Sequence, residues 1–145
     1  MKTMKSAIVL LFALSGMSVF AQKWGATPED SVECIKNLSM YQEFYKQRNY
    51  VDAYEPWLWI FNNCPANHVN TFIRGTAIVK TQLNKEKDPE KRKELVELLY
   101  SIWDKRAEYF GEPGKNMGYK ALDMKLVQPK RVKDYYPIFK QALEL

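Results

Sequence analysis

The segment on either side of Asn49 constrains the fold more than any other part of the chain. Before it, large apolar residues recur at steps of three and four, the spacing of one helix face: Val32, Ile35, Leu38, Tyr41, Phe44 and Tyr45. After it, the same spacing returns with Ala53, Trp57, Ile60 and Phe61. Because a connection of about two or three residues joins these two helices, they must lie antiparallel.

Capping residues set the limits of this helical hairpin. Thr27 can cap the first helix, with Pro28 at its first position, and we expect that helix to end near residues 47–49. The second helix is predicted over residues 50–63, where Pro65 stops it. Pro56 falls inside this range, so it must either kink the second helix or shift its start.

The remainder of the chain is also predicted to be helical. Further helices are expected over residues 70–83, 89–110, 116–127 and 130–145. Asp88 is a good cap for the longest of them and Gly111 a good terminator. No stretch shows the sustained alternation with β-branched residues that is typical of strands. The sequence therefore predicts an all-α fold of antiparallel helical hairpins.

The first residues have the pattern of a secretory signal peptide. Lys2 and Lys5 precede an uncharged, mostly apolar segment, 6–20, which is shorter than the roughly 20 residues a membrane-spanning helix needs. Small residues then favour cleavage between Ala21 and Gln22. We expect an exported protein, periplasmic or secreted, without a membrane span after cleavage. The alternative is a retained membrane anchor.

The two cysteines lie at equal distances from the turn at Asn49. In an antiparallel hairpin, Cys34 and Cys64 should therefore lie side by side at its open end. Disulfides persist in the compartments that exported proteins enter. Closing a loop of about 30 residues would stabilise the fold by roughly 3–4 kcal/mol. We predict a structural disulfide, the alternative being two buried, unpaired thiols.

Little in the sequence indicates catalysis. His68 is the only histidine and lies in a polar linker, so we expect a surface residue rather than a metal ligand or a catalytic base. No phosphate-binding glycine loop or nucleophile motif occurs. Net charge is +5, or about +3 once Lys2 and Lys5 are removed, with lysines and glutamates interspersed. We expect no enzyme activity, no cofactor, no metal and no nucleic-acid partner.

The first hairpin resembles a tetratricopeptide repeat (TPR), a helix–turn–helix unit of 34 residues. With Cys34 as position 1, the family's preferred large, small and helix-breaking residues fall at Phe44, Tyr50, Ala53, Trp57 and Pro65, which are positions 11, 17, 20, 24 and 32. The unit departs from the family pattern at Asn37 and Tyr41. A nonrepetitive helical bundle with the same hairpin spacing is the alternative.

The resemblance implies a short right-handed solenoid over residues 22–145. Its units would span about 34–67, 68–114 and 115–145, and the last unit ends in the middle of its pattern, as in a fragment of a longer array. Gly75 falls at position 8 of the second unit, which fits the family.

The resemblance also implies a function, the binding of a peptide or protein surface in the cell envelope. The concave face of stacked hairpins would carry the contact, through Gln42, Tyr45, Lys46, Thr76 and Lys80. Lysines at equivalent positions of two units would suit an acidic or carboxylate-bearing partner. The alternative is a glycan- or nutrient-binding protein that uses Tyr54 and Trp59 as an exposed flat platform.

A labelling experiment tests the predicted disulfide. The exported protein, unfolded without reductant, should incorporate no thiol reagent, because Cys34 and Cys64 are bonded to each other. After reduction, the same protein should incorporate two labels, as measured by mass spectrometry. Two labels before reduction would contradict the prediction.

Overall fold

A computed structural model describes residues 23–145, and over this range the chain is helical and contains no strand. The predicted signal segment and the cleavage site at Ala21 and Gln22 lie outside the described residues. From residue 28 onward, six α-helices follow one another: α1 Pro28–Lys46, α2 Tyr54–Asn63, α3 Asn70–Lys85, α4 Pro89–Phe110, α5 Pro113–Val127 and α6 Val132–Ala142. One 3-10 turn, Pro65–Asn67, separates α2 from α3. The all-α prediction is confirmed.

The helices pack in chain order. The most extensive backbone contacts among the described residues join α1 to α2, α2 to α3, α3 to α4, α4 to α5 and α5 to α6. The core is continuous across the first four helices, with fully buried side chains from each: Cys34, Tyr41, Trp57, Ile60, Phe72, Ile78, Leu99 and Ile102. None of the helices in residues 23–145 is long and apolar enough to cross a membrane.

The start of α1 is fixed by Thr27, the cap that the sequence indicated, together with Asp30. Thr27 Oγ1 accepts a hydrogen bond from the Asp30 backbone N–H at 3.1 Å, and the Asp30 carboxylate accepts one from the Thr27 N–H at 3.1 Å. These reciprocal bonds satisfy backbone donors that a helix start otherwise leaves unpaired. The helix therefore begins at Pro28.

The predicted apolar stripe of α1 is only partly buried. Tyr41 is fully buried, but Val32 is 65% exposed and Ile35 is 54% exposed. Cys34, between them in sequence, is fully buried instead. The reason is that, among the described residues, α1 packs mainly on α2, and α2 covers only part of the apolar stripe.

Helix α2 begins four residues later than predicted. Residues 50–53 form turns, and Pro56 falls in the first turn of the helix that starts at Tyr54. Backbone N–H groups in a first turn have no partner within the helix, so the missing donor of Pro56 costs nothing there. Of the two alternatives for Pro56, a kink or a shifted start, the structure shows the shifted start, and the prediction of a helix from residue 50 is wrong.

Trp57 and Gly75 bring α2 and α3 into close contact. Trp57 is fully buried, and its Nε1 donates a hydrogen bond to the Thr71 carbonyl at 2.7 Å. A Cβ atom on Gly75 would lie only 2.4 Å from Cζ2 of the indole. Real atoms do not approach so closely. Only glycine at position 75 therefore allows α3 to pass this close to the Trp57 indole.

The predicted disulfide is confirmed. Cys34 of α1 is bonded to Cys64, the residue after α2, with their Cα atoms 6.4 Å apart. Both cysteines are fully buried. The bond therefore closes the open end of the first hairpin, opposite the turn at Asn49.

Lys105 joins the end of α2 to α4. Its Nζ donates a hydrogen bond to the Phe61 carbonyl at 2.9 Å and lies 4.3 Å from the centroid of the Phe61 ring. Burial lowers the pKa of the Lys105 ammonium. The last carbonyls of a helix lack partners within that helix, and an ammonium is well suited to supply one.

Two glycine-to-alanine substitutions test the close contact at Trp57. Gly75→Ala should lower the free energy of unfolding by about 1–3 kcal/mol, because the added methyl overlaps the buried indole. Gly118→Ala is the matched control, since Gly118 is also helical but has no atom within 4 Å of the added Cβ. The control should raise stability by up to about 1 kcal/mol. Equal effects in urea denaturation would show that α3 does not rest on Trp57.

Candidate partner-binding face

The residues predicted to bind a partner lie on α1 and α3. Gln42, Tyr45 and Lys46 come from the second half of α1, and Thr76 and Lys80 from the middle of α3. Lys46 is exposed, while the other four side chains are half-buried. We call these five residues, together with Arg74, the α1–α3 face.

Tyr45 and Arg74 connect the two helices. The guanidinium carbon of Arg74 lies 5.3 Å from the centroid of the Tyr45 ring, within the range of a cation–π contact. The other neighbour of this ring is Tyr50, with ring centroids 5.0 Å apart. Burial is the main cause that raises the pKa of Tyr45, and the nearby Tyr50 raises it further. The phenol therefore stays protonated. The sequence did not single out Arg74, since its approach to Tyr45 depends on how α3 lies against α1.

The cationic side chains of Lys46 and Arg74 on this face have no charged partner among the described residues. Neither Arg74 nor Lys46 forms an ion pair or a side-chain hydrogen bond with another of the described residues. A guanidinium that rests on an aromatic ring keeps its N–H edges available for a carboxylate. The face can therefore accept negative charge from outside.

The charge of Lys80 is engaged within the protein, whereas the prediction assigned it to an acidic partner. Its Nζ lies 2.6 Å from Asp123 Oδ1 of α5, and the other carboxylate oxygen accepts a hydrogen bond from Trp103 Nε1 at 2.8 Å. Asp123 is only 5% exposed. Its charge needs a partner at that depth, and Lys80 supplies it. Lys80 therefore links α3 to α5 and does not offer a free charge to a partner.

Thr76 also makes a bond within the protein. Its hydroxyl donates to the Ile73 carbonyl at 2.9 Å, a local bond inside α3. The neighbouring Ile73 side chain is 47% exposed. Of the predicted residues, Gln42 and Lys46 make no side-chain hydrogen bond with another described residue, and Tyr45 contacts Arg74, which the structure adds to the set.

The aromatic platform of the alternative hypothesis is not exposed as a flat surface. Tyr54 and Trp59 are both half-buried and pack against the core. The Tyr54 ring centroid lies 6.2 Å from that of Trp57. His68 is on the surface, as predicted, and its Nδ1 accepts a hydrogen bond from the Asn70 N–H at 3.0 Å.

Comparison with known proteins does not assign this chain to a family. No protein-family model matches the chain, and no curated protein or solved structure is significantly similar to it. Across residues 23–145, no group of three or more histidine, cysteine or acidic side chains is arranged to hold a metal ion.

Removal of the Asp123 carboxylate tests the link between α3 and α5. Asp123→Ala should lower the free energy of unfolding by about 1–3 kcal/mol, because the Lys80 ammonium and the Trp103 N–H both lose their acceptor. Glu33→Ala removes an exposed ion pair with Lys36 and should cost at most about 1 kcal/mol. If the two variants unfold at the same urea concentration, Asp123 does not anchor α5.

Proposed function

We propose that this chain is a non-catalytic protein–protein interaction module of the bacterial cell envelope, built as a short right-handed array of TPR-like hairpins. Two features support the array. Successive helices pack in chain order, and Gly75 allows the close approach of neighbouring hairpins that such repeats require. The buried disulfide supports export to an oxidising compartment.

The contact between Tyr45 and Arg74 carries the functional proposal. It brings side chains of α1 and α3, which the proposal takes as the first helices of consecutive units, into contact. The Lys80–Asp123 ion pair extends this relation from α3 to α5. Such a row of first helices is the surface on which stacked hairpins bind extended partners.

The chemistry of the α1–α3 face favours an acidic partner. Lys46 and Arg74 supply two cations without counterions among the described residues, and the half-buried Tyr45 ring lies between their helices. A peptide or loop with aspartate, glutamate or a terminal carboxylate would pair with the two cations. Its apolar side chains would contact Tyr45 and the exposed part of Ile73.

A charge-reversal experiment tests this proposal. Full-length protein would be used to capture partners from envelope fractions, alongside Lys46→Glu/Arg74→Glu and the control Lys87→Glu/Lys93→Glu. Both variants change the net charge equally, but Lys87 and Lys93 are exposed residues outside the α1–α3 face. The first variant should capture about tenfold less of the partner, because two attractive ion pairs become repulsive. A bound set that is unchanged in the first variant would exclude this face.

A further inference from the structure

A concave surface lies where the end of α3 meets the beginnings of α2 and α4. It is a groove of about 400 Å³, which we call the α3–α4 groove, lined by Tyr54, Gln82, Lys85, Glu86, Lys91, Glu94, Leu95 and Leu98. This volume falls within the range of small-molecule sites, roughly 300–1,000 Å³. None of these residues belongs to the α1–α3 face.

The walls of the groove are held by hydrogen bonds within the protein. Gln82 Nε2 donates to the Val51 carbonyl at 3.1 Å, which ties α3 to the turn before α2. The Glu86 carboxylate accepts the N–H groups of Lys87 and Asp88 at 2.8 and 2.9 Å. Arg92 donates to the Glu86 carbonyl at 2.8 Å. The groove is therefore formed before any ligand arrives.

Three charged groups of the lining are left without a partner. Lys85, Lys91 and Glu94 form no ion pair among the described residues, although all three border the same groove. Glu86 is already engaged by backbone N–H groups. The unpaired charges are thus the Lys85 ammonium at the end of α3 and, three residues apart on α4, the Lys91 ammonium and the Glu94 carboxylate.

The remaining lining is apolar or neutral. Leu95 and Leu98 are half-buried, one turn apart on α4, and the Tyr54 ring faces the groove from α2. Burial is the main cause that raises the pKa of Tyr54, and the nearby charges of Glu55 and Glu94 raise it further. Its hydroxyl therefore stays protonated, and it makes no hydrogen bond with other described residues, so it is free to bond a ligand.

We infer that the α3–α4 groove binds a small zwitterion with an apolar side chain, of the size of a dipeptide. The ligand carboxylate would pair with Lys85 and Lys91, and its ammonium group with Glu94. Its side chains would cover Leu95, Leu98 and the Tyr54 ring. This occupant uses every unpaired charge of the lining, whereas a fatty acid would leave Glu94 unpaired and a cationic ligand would leave both lysines unpaired.

Four related probes separate the contributions of the two ligand charges. Binding of Leu-Leu to the full chain would be measured by calorimetry, beside Leu-Leu amide, N-acetyl-Leu-Leu and N-acetyl-Leu-Leu amide. We expect Leu-Leu to bind most tightly. Loss of either charge should weaken binding about fivefold, the effect of one exposed ion pair. Equal affinities for all four probes, or no binding of Leu-Leu, would overturn the inference.

Variants then assign each charge to its partner. Lys85→Ala/Lys91→Ala should reduce the affinity for Leu-Leu but not for Leu-Leu amide, and Glu94→Gln should reduce it for Leu-Leu but not for N-acetyl-Leu-Leu. Lys87→Ala and Glu90→Gln, exposed residues outside the lining, are the matched controls and should bind as the unaltered protein does. Lys46→Glu/Arg74→Glu should also leave this binding unchanged, which separates the groove from the α1–α3 face. Unchanged affinity for Leu-Leu in the lysine variant would overturn the inference.

Discussion

The indole of Trp57 lies against α3 without a side chain between them, and the positions of the later helices depend on this contact. Because Gly75 has no Cβ, α3 can cross the ring closely enough for Nε1 to bond the Thr71 carbonyl. That bond satisfies a polar group at the centre of the core, where an unpaired donor would be costly. Helix α4 then packs on α3, and its Lys105 reaches back to the end of α2.

Both candidate surfaces depend on how α3 packs against its neighbours, and they share no residue. The α1–α3 face forms because α3 is held close enough to α1 for Arg74 to rest on Tyr45. The α3–α4 groove forms near the C-terminal end of α3, where its last turn, α2 and α4 leave a space between them. One helix thus takes part in two separate surfaces, for which we propose an acidic chain and a small zwitterion as partners.

Local signals in the sequence predicted much of the fold. The cap at Thr27, the breaks at Pro65 and Gly111 and the cysteine spacing depend only on neighbouring residues or on hairpin symmetry, so they could be read directly. The exposure of Val32, the ion pair of Lys80 and the approach of Arg74 to Tyr45 could not. Each of these depends on the distance between helices far apart in the chain, which side-chain packing decides.

The buried disulfide has a consequence for the behaviour of this protein under tension. Cys34 and Cys64 are separated by 30 residues, which at roughly 3.5 Å per residue would otherwise contribute about 100 Å to a fully stretched chain. The covalent bond carries the pulling force across the base of the first hairpin, so α1 beyond Cys34 and all of α2 stay unloaded. A force applied to the two ends of the chain would extend the helices after Cys64 and leave this hairpin shielded.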